Sequence, residues 1–268
     1  MNTTSLDAYA RFAEETAREA GALLRDRFGK PHDILFKGPI DMVTEADRAA
    51  EDFIASRLRE AFPEHDILGE EGSRGPSAAG PFRWVVDPLD GTTNFAHGLP
   101  TFAVSIALEE SGVPRVGAVY DPMRDDMFVA QAGGGATLNG EAIHVSTTNA
   151  LIGSILTTGF SYHLERRLRQ ADIWRDFLTQ VQAIRQTGSA ALNLCYIAAG
   201  RLDGYWERGI APWDVAAGAL MVIEAGGTVT DFRGGPFRSD DREIIASNGP
   251  LHPDLIAVIG KYPDPPPD

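Results

Sequence analysis

The apolar pattern of this chain changes from one half to the other, and that change limits the folds it can adopt. After two amphipathic helical stretches, at 6–28 and 44–62, short β-like runs follow one another closely through residue 145. Past about residue 150, strand-like runs alternate with helical ones. Consecutive strands predict an antiparallel meander, whereas the alternation predicts a second α/β layer. The sequence therefore indicates a mixed α/β protein with helices packed on sheets.

The same change predicts how the chain is organised. We expect residues 1–148 to form an N-terminal α+β half and residues 149–262 to form a C-terminal α/β half. The Pro- and Asp-rich segment 263–268 is expected to be disordered. Within the first half, Asn139-Gly140 lies between two apolar runs and predicts a tight hairpin turn of type I′.

Charge and cysteine content argue against several classes of protein. The 268 residues include 24 Lys and Arg against 38 Asp and Glu, which gives a formal net charge of −14. Nucleic acids and anionic membrane surfaces bind to stripes of basic residues, and this acidic chain has no long basic run. We therefore expect neither a nucleic acid nor a membrane as a partner. Its single cysteine, Cys195, cannot form an internal disulfide. We expect a cytoplasmic protein without a signal peptide or a membrane-spanning helix.

The segment 84–95, WVVDPLDGTTNF, carries the strongest functional signal. An apolar strand ends in Asp87 and Asp90, three residues apart, with a proline stiffening the turn between them. Carboxylates in that position are well placed to share hard divalent cations. The backbone N–H groups of Gly91 and Thr92, near a helix start, can receive a phosphate group. The combination favours a functional site over an ordinary Asp- and Gly-rich turn.

Other acidic residues have good structural explanations when each is considered alone. Thr44 and Asp47 fit a helix capping box, in which side chain and backbone exchange hydrogen bonds. Glu70 belongs to a pair of acids on a loop after a short strand. Asp214 would begin a helix whose dipole favours a negative charge at that end. Their co-occurrence with the acids of the 84–95 segment, all at strand ends or helix starts, favours a shared site.

Five motifs stand in one order along the chain: DMVTEAD at 41–47, GEE at 69–71, DPLDGTTNF at 87–95, GSA at 188–190 and WDVAAG at 213–218. Together they resemble the inositol monophosphatase family of magnesium-dependent, lithium-sensitive phosphomonoesterases. The resemblance implies an α/β (α+β) fold, the layered αβαβα sandwich of the inositol monophosphatase and fructose-1,6-bisphosphatase type, and a homodimer. It also implies an enzyme, a phosphoric monoester hydrolase that acts on a small-molecule phosphate monoester.

The resemblance further implies which residues hold metal ions. Glu70, Asp87 and the carbonyl of Leu89 match the ligands of a first Mg²⁺. Asp87, Asp90 and Asp214 match those of a second, with Asp87 bridging the two ions. Glu70 would also contact a third, weaker ion through water. Oxygen-only ligands of this kind favour magnesium over zinc.

Catalytic and phosphate-binding positions follow from the same resemblance. Glu70 and Thr92 match the pair that orients the attacking water, and Asp47 matches the residue that polarises Thr92. The amides of Gly91 and Thr92 would receive the phosphate. Two ions that clamp the attacking and leaving oxygens together suit the hydrolysis of a phosphate dianion that water alone barely attacks.

The substrate is implied less directly. Glu207 matches an acid that holds hydroxyls of the inositol ring, whereas its structural explanation is a strand-end acid paired with Arg208. Asp90, Ser189 and Ala190 complete the expected substrate contacts. The favoured substrate is myo-inositol 1-phosphate, and relatives with the same metal core leave three alternatives: histidinol phosphate, fructose 1,6-bisphosphate and 3′-phosphoadenosine 5′-phosphate. A non-catalytic regulatory or binding member of the family is a further alternative of a different class.

Overall fold

The computed structural model describes residues 5–30, 34–36, 42–75 and 80–263. Asp41, which begins the first motif, and the residues of the expected disordered tail from 264 onward lie outside these ranges. The helices are α1 (Leu6–Arg27), α2 (Glu45–Ala61), α3 (Thr92–Ala96), α4 (Leu164–Phe177), α5 (Ala190–Ala198), α6 (Pro212–Glu224) and α7 (His252–Ile259). Among the described residues, none of the helices combines the length and apolar character needed to cross a bilayer.

The first strands form a small ribbon and a large sheet. An antiparallel pair, β1 (Ile34–Phe36) and β2 (Met42–Thr44), leads into α2. The larger sheet consists, in spatial order, of β3 (Asp66–Gly69), β4 (Phe82–Asp90), β5 (Ala103–Glu110), β6 (Val113–Asp121), β7 (Asp126–Gln131), β8 (Gly135–Leu138) and β9 (Glu141–Ala142). The predicted hairpin turn joins the last two strands, because Asn139 (φ 51°) and Gly140 (φ 84°) both adopt the positive φ that type I′ requires.

The expectation of a purely antiparallel meander is wrong at one edge of this sheet. β3 runs parallel to β4, whereas the other neighbouring strands are antiparallel. The chain after β3 returns to the start of β4, so that Gly69 pairs with Val86 and both strands end at the same edge. This arrangement brings Glu70 next to the end of β4, where the backbone N–H of Glu70 donates to the carbonyl of Val86 at 3.2 Å.

The second sheet belongs to the later part of the chain. Its strands are β10 (Ile155–Thr158), β11 (Ala183–Arg185), β12 (Gly204–Arg208), β13 (Thr228–Thr230) and β14 (Glu243–Ser247). They lie in the order β11–β10–β12–β14–β13. β10 is parallel to both of its neighbours, and β14 is antiparallel to both of its own. The carboxyl ends of β10 and β12 therefore meet at one edge of the sheet.

Three apolar clusters hold the layers together. α1 and α2 pack on one face of the larger sheet, α5 and α6 lie between the two sheets, and α4 and α7 cover the outer face of the second sheet. The order is helix, sheet, helix, sheet, helix, so the predicted αβαβα sandwich is confirmed. Cys195 lies fully buried on α5, as its apolar neighbours predict.

Small residues let α6 approach its neighbours closely. A Cβ added to Gly117 on β6 would lie 2.9 Å from the carbonyl oxygen of Ala217, and one added to Gly218 would lie 2.6 Å from Cβ of Leu194 on α5. Neither glycine can carry a side chain without moving an element, because real side-chain carbons do not approach this closely. This close packing fixes the start of α6, and with it Asp214, against the larger sheet.

Candidate active site

Three carboxylates from two separate elements converge between the sheets. Asp87 and Asp90 lie near the end of β4, and Asp214 lies in the first turn of α6. One oxygen from each lies within 4.8 Å of the others. The pairing of β4 with β5 changes register between Asp87 and Asp90, which breaks the strict alternation of side chains along the strand. Two residues three positions apart can therefore reach the same cluster.

Backbone N–H groups orient two of these carboxylates. The N–H of Leu89 donates to Oδ1 of Asp87 at 2.9 Å. The N–H of Ala211, just before α6, donates to Oδ2 of Asp214 at 2.7 Å. Asp214 thus caps the helix that carries it, as its position at the helix start predicts. Each bond uses only one oxygen of its carboxylate and leaves acceptor capacity for another ligand.

Asp90 is held by the start of a different helix. Ser189 Oγ donates to Asp90 Oδ2, and the N–H groups of Ala190 and Ala191 donate to its two oxygens at 3.1 and 2.8 Å. The carboxylate therefore caps α5 while it faces the other acids. Ser189 and Ala190, expected to contact substrate, are hydrogen-bonded to Asp90 here, and their contact with substrate remains a prediction.

Burial destabilises the charge of all three acids, and neighbouring carboxylates add to this effect at Asp87 and Asp214. Burial, and then the nearby charges of Glu70, Asp90 and Asp214, raise the pKa of Asp87 well above its usual value. Burial and the charges of Glu70 and Asp90 do the same to the pKa of Asp214. Burial raises the pKa of Asp90 to about 6, against the lowering effect of its bonds from Ser189 and α5. A buried set of oxygen ligands with this excess of negative charge fits a hard divalent cation.

Glu70 and Leu89 lie beside this cluster. The 4.8 Å group comprises the three aspartates, and Glu70 is near enough for its charge to raise the pKa of both Asp87 and Asp214. The buried carbonyl oxygen of Leu89 lies 3.1 Å from Thr92 Oγ1. Their binding of a first metal ion remains a prediction.

Asp47 serves both explanations that the sequence offers for it. Its Oδ2 accepts from the N–H and the Oγ1 of Thr44 at 2.8 and 2.6 Å, which forms the capping box at the start of α2. Its Oδ1 accepts from Thr92 Oγ1 at 2.9 Å. Burial raises the pKa of Asp47, and these hydrogen bonds partly offset that rise. Capping and contact with Thr92 therefore use different oxygens of one carboxylate.

The turn before α3 requires glycine. Gly91 has φ 103°, a left-handed conformation that side chains strongly disfavour. A Cβ there would also lie 3.0 Å from the carbonyl oxygen of Thr101. This backbone conformation directs the chain from Asp90 into α3 and sets the position of Thr92 at the helix start.

Two residues near the site were not predicted from the sequence. Glu51, 3% exposed on α2, accepts hydrogen bonds from the N–H groups of Glu71 and Ser73, both at 2.7 Å. Its position four residues after Asp47, on the buried face of α2, was the available signal. Asn94 donates to two carbonyls, those of Thr101 at 2.7 Å and Thr187 at 2.8 Å, and so joins α3 to the turn before α5.

Glu207 lies at the end of β12, where its carboxylate accepts from the hydroxyl of Tyr205 at 2.6 Å. Burial raises the pKa of Glu207 to about 7, and the charge of Asp90 adds to that rise. Arg208 does not explain this acid, because it pairs with Glu243 at 3.4 Å on the neighbouring strand and stacks over Phe232. Glu207 thus lies within electrostatic reach of the aspartate cluster.

Comparisons with a family model and with known proteins identify relatives of this chain. The model of the inositol monophosphatase family matches residues 5–263. The inositol-1-monophosphatase of a Synechocystis species is 44% identical over 265 residues, which cover 98% of this chain and 92% of the relative. The Nus factor SuhB of Pseudomonas aeruginosa is 45% identical over 224 residues, 82% of this chain and 83% of the relative.

The solved structures include an inositol monophosphatase from an Anabaena (Nostoc) species with a TM-score of 0.84 and 40% identity, covering 97% of this chain and 98% of that one. The family model's match to residues 5–263 spans both sheets and every segment that carries a predicted site residue. The expected fold class and the expected enzyme class, a phosphoric monoester hydrolase, are confirmed by this relationship. The chain belongs to the inositol monophosphatase family.

Proposed function

We propose that this protein hydrolyses myo-inositol 1-phosphate to inositol and inorganic phosphate in the presence of Mg²⁺. The observation that carries the proposal is the convergence of Asp87, Asp90 and Asp214 within 4.8 Å in a member of this family. Two of the three carboxylates are buried, and all three have raised pKa values, so a cation would relieve an unfavourable concentration of charge.

The metal ligands follow the family pattern. Glu70, Asp87 and the carbonyl of Leu89 would hold a first Mg²⁺, and Asp87, Asp90 and Asp214 a second. Glu70 would contact a weaker third ion through water. Bound Mg²⁺ supplies Lewis-acid stabilisation of the charge on the phosphate oxygens. Lithium inhibition follows if Li⁺ occupies the second position, and full phosphate release at high lithium concentration would contradict that assignment.

The chain's own residues orient the attacking water. Thr92 Oγ1 donates to Asp47, so the lone pairs of that hydroxyl are left to accept a hydrogen bond from water. Glu70 accepts the second hydrogen bond, and the two acceptors together aim the water at phosphorus, opposite the leaving alcohol oxygen. The N–H groups of Gly91 and Thr92 hold the phosphate during the reaction.

The alcohol part of the ester faces Glu207. A carboxylate that accepts from neighbouring hydroxyls favours a polyol phosphate over an alkyl phosphate, because an alkyl group would leave the acid desolvated without a donor. Asp90, Ser189 and Ala190 complete the proposed contacts. The charge of Asp90 already acts on the pKa of Glu207, which supports a single site for both ends of the substrate.

The test is Mg²⁺-dependent phosphate release from four esters: myo-inositol 1-phosphate, histidinol phosphate, fructose 1,6-bisphosphate and 3′-phosphoadenosine 5′-phosphate. We expect the inositol ester to be hydrolysed fastest. Preference for another ester would preserve the proposed metal site and overturn the proposed substrate. The comparison is made with and without chelator, so that release without metal is also detected.

A second candidate is a regulatory or binding member of the family without turnover. The observation behind this candidate is that the Pseudomonas aeruginosa relative is named as a Nus factor and not as a phosphatase. No release from any of the four esters, with Mg²⁺ still bound, would support this candidate over the enzyme.

We further propose a homodimer in the cytoplasm. The homodimer follows from the family resemblance, and sedimentation at the 28.9 kDa mass of one chain would contradict it. A reducing compartment is consistent with the single cysteine, Cys195, which is buried and unpaired.

A further inference from the structure

The Glu207 carboxylate lies between the Tyr205 hydroxyl and the backbone of Gly159, two residues that have no role in the reaction proposed above. β10 and β12 are adjacent parallel strands, and Thr158 pairs with Trp206 at their carboxyl ends. Gly159 and Glu207 are the next residues on the two strands and therefore lie side by side. Tyr205 precedes Glu207 by two positions and faces the same side of the sheet.

Tyr205 fixes one side of the carboxylate. Its hydroxyl donates to Oε2 of Glu207 at 2.6 Å. Its ring is fully buried in the apolar cluster between the two sheets, packed with residues of α5 and α6, so the hydroxyl has a defined position. Burial, and then the charge of Glu207, raise the pKa of Tyr205 well above its usual value. The phenol therefore stays protonated and acts as a permanent donor to Glu207.

Gly159 fixes the other side. A Cβ built on Gly159 would lie 2.0 Å from Oε2 and 2.6 Å from Oε1 of Glu207, so both oxygens rest against the glycine backbone. Gly159 does not have a positive φ, and its backbone could accommodate another residue. Glycine is needed at this position because the Glu207 carboxylate occupies the space that the Cβ of any other residue would fill.

We propose that Tyr205 and Gly159 are positioning residues that set the preference for polyol phosphates by holding the Glu207 carboxylate in one orientation. This inference rests on the proposed function, because the ligand is an ester whose alcohol carries neighbouring hydroxyls. Tyr205 and the backbone of Gly159 both hydrogen-bond to the Glu207 carboxylate, so these two residues fix the directions of the lone pairs that are left for a ligand. An acceptor whose direction is fixed before binding loses less conformational entropy when the hydroxyls dock.

The first test compares Tyr205→Phe with the wild-type protein on two esters. One is myo-inositol 1-phosphate, and the other is 4-nitrophenyl phosphate, which has no neighbouring hydroxyls. We expect KM for the inositol ester to rise about 10-fold, the size of effect that loss of a hydrogen bond to a charged group produces. Kinetics on the aryl ester should change less than about twofold. A purely structural loss would instead lower turnover of both esters in parallel.

Two further variants keep the test sharp. Gly159→Ala should reproduce the same split between esters, because the added methyl group displaces the end of a flexible side chain and leaves the backbone in place. Tyr120→Phe is the matched control, since the Tyr120 hydroxyl bonds to the exposed Asp125. This control should leave KM for both esters unchanged.

A double-mutant cycle separates action through Glu207 from any direct effect of Tyr205. Adding Tyr205→Phe to Glu207→Gln should cost much less than Tyr205→Phe costs alone. Equal costs in the two backgrounds would overturn the inference, and so would an unchanged KM for the inositol ester in Tyr205→Phe. If the wild-type protein hydrolyses only the aryl ester, the proposed substrate fails, and this role of Tyr205 and Gly159 fails with it.

Discussion

Asp47 and Glu51 lie one turn apart on α2, and their carboxylates hold the two segments that carry the proposed water-orienting residues. Asp47 accepts from Thr92 Oγ1 at 2.9 Å. Glu51 accepts, at 2.7 Å, from two backbone N–H groups of the 71–73 turn that follows Glu70. Because residues four apart on a helix lie on the same face, one rigid element sets the separation of both segments.

Replacing Glu51 with Gln tests this arrangement. The Glu51→Gln side chain keeps its size but turns an amide NH₂ toward a backbone N–H that needs an acceptor. We expect the free energy of unfolding to fall by about 1–3 kcal/mol, the cost of a buried polar group left without its partner. Urea unfolding measures the change. The matched control is Glu60→Gln at an exposed position of the same helix, and equal losses in both variants would contradict the role of Glu51.

Local patterns in the sequence predicted the acids at strand ends and helix starts, because a turn after a strand and a cap before a helix are properties of neighbouring residues. Asp47 and Asp214 were recognised in this way, as capping residues that the family resemblance also uses. The contact of Glu51 with the 71–73 turn joins residues about twenty positions apart. Its geometry depends on how α2 crosses the sheet, so periodicity could show that Glu51 is buried but could not show its partner.

The direction of β3 could not be predicted from the sequence, because it too depends on contacts between distant parts of the chain. A short apolar run has the same pattern in either direction, and only the path of the connection from 70 to 81 decides the pairing. The parallel alignment with β4 is what brings Glu70 to the edge where Asp87 lies. The hydroxyl of Tyr205 was equally hidden, since an aromatic residue in an apolar strand indicates core packing first.

Substituting the clustered aspartates should separate metal binding from folding. Asp214→Asn removes a negative charge while the size of the side chain stays the same. The amide oxygen of the new side chain can still accept the hydrogen bond from the N–H of Ala211. We expect Mg²⁺ affinity and turnover to fall by about two orders of magnitude or more. The melting temperature of the metal-free protein should stay the same or rise, because the variant removes a charge that burial and the neighbouring acids destabilise. Calorimetric titration of Mg²⁺ and phosphate release measure the two effects.

Asp90→Asn should have the same effect on metal binding and turnover, and it should also destabilise the fold. Its carboxylate accepts from Ser189, Ala190 and Ala191 at the start of α5, and an amide cannot accept all three bonds. The control is Asp172→Asn on α4, where the acid is 43% exposed and pairs with Arg175. Undiminished turnover in Asp90→Asn and Asp214→Asn would refute the metal assignment.

Asn94 joins α3 to the turn before α5, and its removal should lower the stability of the protein. Its amide NH₂ donates to the carbonyls of Thr101 and Thr187, and Asn94→Ala leaves both without that donor. We expect a loss of about 1–3 kcal/mol in the free energy of unfolding. Hydrogen exchange should show faster opening at the turn before α5, which Asn94 ties to α3. Exchange that speeds up only within α3 would argue against this connection.

The pH dependence of stability should reveal the excess negative charge of the site. Folding raises the pKa of Asp90 from its usual 3.8 to about 6 and the pKa of Glu207 from 4.5 to about 7. A raised pKa means that the folded state binds protons more tightly than the unfolded state. The contribution of these two groups to the free energy of unfolding is therefore fully present below about pH 4, and it is lost as the pH rises through 6 and 7. The metal-free protein should therefore become less stable between pH 5 and 8, by a few kcal/mol.

Chemical unfolding in the presence of a chelator, at pH 5 and at pH 8, measures this difference. Mg²⁺ should restore stability mainly at pH 8, where the carboxylates are charged and a cation offsets their repulsion. Glu207→Gln removes one titrating group and should flatten the dependence between pH 6 and 8. Stability that instead rises from pH 5 to pH 8 in the metal-free protein would mean that the carboxylates of this site are not destabilised by burial and by one another.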